Sequence, residues 1–139
     1  MNALAEKLGP EVLRRRDILL VDDDPEVLRA TARLLASVHQ VRTADSLASA
    51  LIEVGRSVPE VVVSDLDMPN GTGADLLTEI ADRHPAVRRV LCSGADCRAL
   101  VHLGVAHAAI EKPAGYVSLL AVIAGECSVK PTEKREDVL

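Results

Sequence analysis

The sequence has almost no aromatic residues, because Tyr116 is the only one and phenylalanine and tryptophan are absent. Its core must therefore be aliphatic, and the stacking platforms that hold single-stranded nucleic acid are excluded. The net charge of −5 also argues against a surface built for nucleic acid. We therefore expect no nucleic-acid binding by this domain. We interpret Arg14–Arg16 as solvated residues that lead into the first strand, not as a phosphate-binding arm.

Cysteine and long apolar runs are also scarce. The three cysteines, Cys92, Cys97 and Cys127, are odd in number and lack C-x-x-C spacing, so they indicate neither a disulfide framework nor a zinc site. No apolar run is long enough to span a membrane, and no signal peptide is evident. These absences predict a cytoplasmic protein without membrane contact. The four histidines, among them His39, show no metal-site spacing, and we expect them on the surface.

What is present is the composition of an ordinary globular domain. The chain has 139 residues, 48% of them hydrophobic and 27% charged, which is enough to bury a core. A regular pattern occupies residues 17–127. Residues 1–16 form an N-terminal extension interrupted by Gly9-Pro10. Residues 128–139 are a charged tail that we expect to be flexible.

Within residues 17–127, short apolar runs alternate five times with helical periodicity. We predict strands at 18–21, around Val41, and at 61–64, 87–92 and 108–110. Strands that alternate with helices form parallel sheets with right-handed crossovers. The uniformly apolar 61–63 is typical of a strand covered on both faces. The fold prediction is α/β, a doubly wound five-stranded parallel sheet of order 2-1-3-4-5 with helices on both faces.

Four of these runs end in residues that can handle a metal or a phosphoryl group. Asp22 and Asp23 follow the first strand, and Asp65 follows the third. Ser93 and Lys112 follow the fourth and the fifth. Each has an ordinary alternative as a helix cap, a turn or a surface residue. Because open α/β sheets bind ligands at the carboxyl ends of their strands, the shared position predicts one site.

The chemistry follows from the residue types. Two carboxylates about 4 Å apart repel by about 1 kcal/mol in water and about 4 kcal/mol at an effective dielectric near 20. Mg²⁺ held by Asp22 and Asp23 offsets this best, and without it we expect at least one acid to have a raised pKa. Asp65 is then the nucleophile that forms an acyl phosphate. Lys112 and Ser93 contact the phosphoryl oxygens.

Four segments, in this order and spacing, resemble the response-regulator receiver domains of two-component signalling. They are Val21–Pro25, Val63–Gly73, Leu91–Gly94 and Glu111–Pro113. The resemblance covers about residues 17–127. It implies a flavodoxin-like fold, Mg²⁺ dependence and phosphorylation of Asp65 by a histidine kinase or histidine phosphotransfer protein.

The resemblance implies several finer features. The backbone carbonyl of Asp67 contacts the metal, and the peptide bond between Lys112 and Pro113 is cis. The domain signals through protein contacts to an unidentified downstream target, and a phosphorylation-linked dimer is compatible with it. It is not an enzyme beyond self-phosphorylation from a phosphodonor and autodephosphorylation.

Three features depart from the family pattern. Receivers usually carry tyrosine or phenylalanine where this chain has Ala109, and Tyr116 lies beyond the lysine on the last helix. The helix predicted between Ser93 and Lys112 is truncated, which alters the usual partner-binding face. The side chain of Asp67 adds a charge near the acyl phosphate, and we expect it to tune phosphoryl lifetime.

Two alternatives belong to other classes. Asp65-Leu66-Asp67 resembles the opening motif of haloacid-dehalogenase-like phosphatases, but Pro69 departs from that motif. The pair Asp22-Asp23 also precedes the nucleophile instead of following it. The other alternative is a receiver-like interaction module that acts without phosphorylation. Because no output-domain motif follows Gly125, we expect a stand-alone receiver, with a piece of a longer chain as the other interpretation.

Overall fold

The structure of the protein, a computed structural model, describes residues 9–112 and 115–125. It contains one five-stranded parallel sheet and five helices within those residues. The strands are β1 Asp17–Val21, β2 Gln40–Ala44, β3 Val61–Asp65, β4 Arg88–Ser93 and β5 Ala108–Glu111. The helices are α1 Pro25–Leu35, α2 Leu47–Arg56, α3 Gly73–Arg83, α4 Arg98–His102 and α5 Tyr116–Ala124.

The strand order is β2-β1-β3-β4-β5, which confirms the predicted fold. All four strand pairs are parallel. The order reverses between β1 and β3, where Val21 pairs in register with Ser64. The residues that follow both strands therefore emerge side by side, at the point where such sheets bind ligands.

Alternate residues of the central strands face two separate aliphatic cores. Leu19, Val62 and Leu91 pack with residues of α2 and α3 on one face. On the other face, residues such as Leu20 and Val63 pack with α1 and α5. Each fully buried aliphatic side chain contributes about 1.5–3 kcal/mol, so the sheet is a rigid base for the loops at its edge. We call these the α2/α3 face and the α1/α5 face.

Side chains cap the first three helices. Asp24 accepts hydrogen bonds from the backbone N–H groups of Glu26 and Val27, and a proline opens α1. Ser46 and Thr72 form capping boxes at the starts of α2 and α3. Helix α4 has only five residues and no side-chain cap. The expected short fourth helix is therefore present.

The predictions that His39 and Arg16 lie on the surface are wrong. These residues, far apart in sequence, pack together at the amino-terminal ends of β1 and β2. His39 is 1% exposed, and its Nδ1 accepts a hydrogen bond from the backbone N–H of Arg16 at 3.1 Å. Arg16 is 6% exposed and donates to the Glu11 carboxylate at 2.8 Å. Val12, in the turn before β1, is buried in the core of the α1/α5 face. Its burial holds the nearby Arg16 against the protein.

Several predictions fall outside the described residues. They concern residues 1–8, Cys127, the tail at 128–139 and the peptide bond between Lys112 and Pro113. Within 9–112 and 115–125, no helix combines the length and apolar character needed to cross a bilayer.

Burial of His39 predicts a specific pH dependence of stability. Burial, assisted by the charge of Arg16, lowers the pKa of His39 from 6.5 to about 4. Between about pH 4 and pH 6.5, His39 is protonated in the unfolded chain but neutral in the folded chain. Stability from this group is therefore complete above about pH 6.5 and falls as the pH drops to about 4, by at most about 3 kcal/mol.

Urea unfolding of the wild type and a His39→Gln variant from pH 4 to 7 checks this prediction. The difference between their free energies of unfolding should vary with pH in that window. The exposed His102→Gln variant should keep the wild-type profile. An NMR titration that finds the pKa of His39 near 6.5 would contradict the prediction.

Candidate functional site

Three carboxylates meet at the carboxyl end of the sheet. Asp22 and Asp23 follow β1 directly, and Asp65 is the last residue of β3. One oxygen atom from each lies within 4.8 Å of the others. The side chains of Asp22 and Asp65 are only 9% and 11% exposed, whereas Asp23 is exposed at the rim. The structure thus gathers the acids that the sequence placed at two strand ends.

Lys112 contacts two of these acids from the far side of β4. Its Nζ donates to Asp65 Oδ1 at 3.0 Å and lies 3.4 Å from Asp22 Oδ2. The backbone N–H of Lys112 donates to the carbonyl of Ser93 at 2.7 Å, which extends the β4–β5 ladder by one residue. That backbone bond anchors Lys112 at the sheet edge, so its long side chain can span β4.

The local environment shifts two pKa values. Burial is the largest cause of the raised pKa of Asp65, and the charges of Asp22 and Asp23 add to it. Lys112 opposes this shift through its hydrogen bond and its charge. For Lys112, burial lowers the pKa, but the hydrogen bond with Asp65 and the charge of Asp22 outweigh burial and raise it. The sequence argument expects a raised pKa for one of the consecutive acids Asp22 and Asp23, whereas the structure shows a raised pKa for Asp65, with desolvation as the largest cause.

The three consecutive acids after β1 have different roles. Asp24 caps α1 and takes no part in the cluster. Asp22 points inward, and its Oδ1 accepts a hydrogen bond from the backbone N–H of Asp24 at 3.0 Å. Asp23 joins the cluster from the solvent side. The first helix therefore needs only one of the three acids, and the other two are available to a ligand.

Ser93 lies at the end of β4, one residue beyond the register partner of Asp65, which is Cys92. Ser93 is buried, and its Oγ accepts a hydrogen bond from the backbone N–H of Ala95 at 3.1 Å. A hydroxyl oxygen that accepts still has its own proton to donate. Ser93 is thus positioned beside the acids with one donor available.

Tyr116 does not stand near Ser93. Its hydroxyl bonds to the hydroxyl of Ser37, which follows α1, and its ring packs against the core of the α1/α5 face. Ala109 is buried on the opposite face of the sheet. Because the sheet separates these positions, Tyr116 does not replace an aromatic side chain at position 109.

Gly73, at the start of α3, is a contributor that the sequence reasoning did not single out. A Cβ atom at this position would lie 2.2 Å from the backbone oxygen of Asp65 and 2.9 Å from Ser64 Oγ. The N–H of Gly73 donates to the carbonyl of Leu66 at 2.8 Å. Helix α3 therefore presses directly on the backbone that carries Asp65. Only its place inside the segment 63–73 marked it in the sequence.

A cleft of about 480 Å³ adjoins the acids on the α1/α5 face. Its charged rim consists of Asp22, Asp65 and Lys112, and its apolar lining includes Leu28 of α1 and Leu119 of α5. Cys92 also lines it, and burial raises the pKa of its thiol to about 12. That thiol stays protonated at neutral pH, so it is no nucleophile beside Asp65.

The family of this chain is shown by comparison with known proteins. A family model of the response regulator receiver domain matches residues 18–124. The chain belongs to the response regulator receiver domain family. It is therefore a component of two-component regulatory systems, and receiver domains interact with histidine kinases and downstream effectors.

Individual relatives agree with this assignment. The chain is 32% identical over 103 residues to the transcriptional regulatory protein MctR of Rhizobium johnstonii, covering 72% of this chain and 46% of that protein. It is 31% identical over 91 residues to the acid tolerance regulatory protein ActR of Rhizobium meliloti, covering 65% and 45%. The chain thus spans less than half the length of these relatives.

A solved structure supports the fold. The CheY-like receiver domain protein of Methanospirillum hungatei JF-1 superposes with a TM-score of 0.73 at 23% identity. The superposition covers 89% of this chain and 98% of that one.

The contact between Gly73 and Asp65 predicts that Gly73→Ala destabilises the protein. Alanine normally improves a helix by up to about 1 kcal/mol, but here its methyl group would push against backbone, and overpacking costs about 1–3 kcal/mol. Gly55→Ala is the matched control, because it lies in α2 with open space around it and should stabilise. Urea unfolding measures both, and equal stabilisation would contradict the close approach.

Proposed function

We propose that this chain is the phosphoacceptor domain of a two-component phosphorelay and that Asp65 receives the phosphoryl group. The observation that carries the proposal is the position of the Asp65 carboxylate, beside Asp22 and 3.0 Å from the Lys112 ammonium. Phosphoryl transfer to a carboxylate needs a nearby cation to neutralise the negative charge of the phosphoryl oxygens. The Lys112 ammonium provides one.

The proposed donor is a phosphohistidine on a histidine kinase or a histidine phosphotransfer protein. An Asp65 oxygen forms a bond with phosphorus while the bond from phosphorus to the imidazole nitrogen breaks, and that nitrogen keeps the electron pair. Lys112 then pairs with a phosphoryl oxygen, and the Ser93 hydroxyl donates a hydrogen bond to another. Lys112 leaves its contact with the bare carboxylate to do so, which its long side chain permits.

The residues that would hold Mg²⁺ are Asp22, Asp23 and Asp65, with the backbone carbonyl of Asp67. The donor set fits this ion, because three carboxylates offer hard oxygen ligands within 4.8 Å of one another. When bound, Mg²⁺ neutralises charge on the phosphoryl oxygens. Burial favours the protonated form of Asp65, so the neighbouring cations also help to keep it an ionised nucleophile.

We further propose that the domain turns over no external substrate and acts in the cytoplasm by contacting a downstream protein. The family match speaks against the phosphatase alternative. The interaction module without phosphorylation is weakened by the site itself. A module that acts without phosphorylation gains nothing from buried acids that repel each other and that need Lys112 to offset the repulsion.

Substitution of the acceptor should abolish the response to a phosphoryl mimic. Beryllofluoride with Mg²⁺ should raise the melting temperature of the wild type by several degrees. A ligand at a free concentration of about 100 times its Kd increases the free energy of unfolding by about 2.7 kcal/mol. Asp65→Asn should not respond, and Asp82→Asn, an exposed acid on α3, should respond like the wild type. Thermal unfolding with and without the mimic measures this.

Equal stabilisation of the wild type and Asp65→Asn would remove Asp65 as the acceptor. Acetyl phosphate followed by mass spectrometry gives an independent measurement. One added phosphoryl group on the peptide that contains Asp65 is expected. Sustained hydrolysis of a phosphomonoester would instead favour the phosphatase.

A further inference from the structure

The cleft on the α1/α5 face is apolar space that the helices leave open above the sheet. It measures about 480 Å³ and is lined by residues of α1, α5 and three strands. On α1, Leu28 and Thr31 are only half-buried where they line it, and Val27 is 40% exposed. The one fully buried residue of α1 is Leu35, at its carboxyl-terminal end. The amino-terminal half of α1 therefore rests on the sheet loosely, with the cleft beside it.

The single aromatic side chain of the protein does not fill this cleft. Tyr116 bonds to Ser37, which follows the carboxyl-terminal end of α1, whereas the cleft lies beside the amino-terminal half of that helix. Its lining consists mainly of leucine and valine, with Cys92 on β4. Binding sites for small molecules are typically clefts of about 300–1,000 Å³ with an apolar lining and a few polar groups. The cleft has the size and the lining of such a site.

The charged rim of the cleft has an excess of negative charge. Among the described residues that line it, the charged side chains are Asp22, Asp65 and Lys112. The Lys112 ammonium lies 3.0 Å from the Asp65 carboxylate and 3.4 Å from that of Asp22. One cation therefore faces two anions, and the rim carries one uncompensated negative charge. A cationic group on a ligand would offset this charge, whereas an anionic group would add to the repulsion.

We propose that this cleft is a binding site for a small amphipathic cation, an aliphatic primary amine. Its ammonium group pairs with Asp22 and Asp65 at the rim, and its aliphatic body lies against Leu28 and Leu119. No covalent bond forms.

Such a ligand would also regulate the site. The same two carboxylates would hold Mg²⁺, so the amine and the metal exclude each other, and an occupied cleft keeps Asp65 unphosphorylated. This regulatory consequence rests on the proposed function, but binding of the amine does not.

Titration of the wild type with butylamine, hexylamine and octylamine in the absence of Mg²⁺ tests the binding, with methyl NMR signals as the readout. A buried methylene contributes about 0.8 kcal/mol, so the Kd should fall about fourfold for each added methylene. The shifts should concentrate on the methyl groups of Leu28, Val63 and Leu119. Hexanol should bind about tenfold more weakly than hexylamine because it lacks the charge-assisted hydrogen bond, and hexanoate more weakly still. A Kd independent of chain length would overturn the proposal.

A variant that fills the cleft locates the site. Thr31→Phe places a ring in the cleft from α1 and should abolish hexylamine binding. Ala30→Phe is the matched control, because it adds the same ring at an exposed position of α1 outside the cleft, and it should bind hexylamine like the wild type. Unchanged binding in Thr31→Phe would overturn the proposed site. The chain-length series on the wild type decides the proposal even where the filled variant is too unstable to measure.

Competition with Mg²⁺ separates this inference from the proposed function. Rising Mg²⁺ should displace hexylamine from the wild type, and hexylamine should slow the labelling of Asp65 by acetyl phosphate. Hexylamine binding that Mg²⁺ leaves unchanged would overturn the pairing at the rim. A wild type that is labelled on Asp65 but binds no amine would overturn this inference alone. A wild type that binds hexylamine but accepts no phosphoryl group would remove the acceptor function and leave the cleft site standing.

Discussion

The ammonium group of Lys112 compensates two buried carboxylates, and the rest of the site depends on that compensation. Asp22 and Asp65 are brought together by the pairing of β1 with β3, so the sheet cannot form without crowding them. Lys112 follows β5, the strand at one edge of the sheet. Its side chain extends across β4 and contacts both acids. The same contact that relieves repulsion in the bare domain keeps a cation beside the oxygen that we propose attacks phosphorus.

The fold holds these groups by backbone rather than by side-chain packing. Register between neighbouring strands places Asp65 beside Cys92 and the carbonyl of Ser93 beside the N–H of Lys112. Gly73 allows α3 to approach the backbone of Asp65 more closely than any other residue would permit. A rigid arrangement of this kind suits phosphoryl transfer, which needs placement and charge neutralisation more than specialised side-chain chemistry.

The near absence of aromatic residues shapes what lies around the site. On the α2/α3 face, Ala109 and Cys97 line a gap of only about 10 Å³. On the α1/α5 face, Tyr116 is tied to Ser37 at the end of α1.

The sequence by itself indicated the strands and the residues at their ends, because periodicity and strand termini are local patterns, and the strand order followed from the general topology of doubly wound sheets. Tertiary structure alone decided the burial of His39 and Arg16 and the approach of Gly73 to Asp65. His39 pairs with a backbone group 23 residues away, and the segment before β1 folds back to bury Val12. Such contacts depend on where distant segments pack, and no local pattern encodes them. The strand-end position of Lys112 predicted its place in the site, and the tertiary structure shows its contacts with Asp65 and Asp22 across β4.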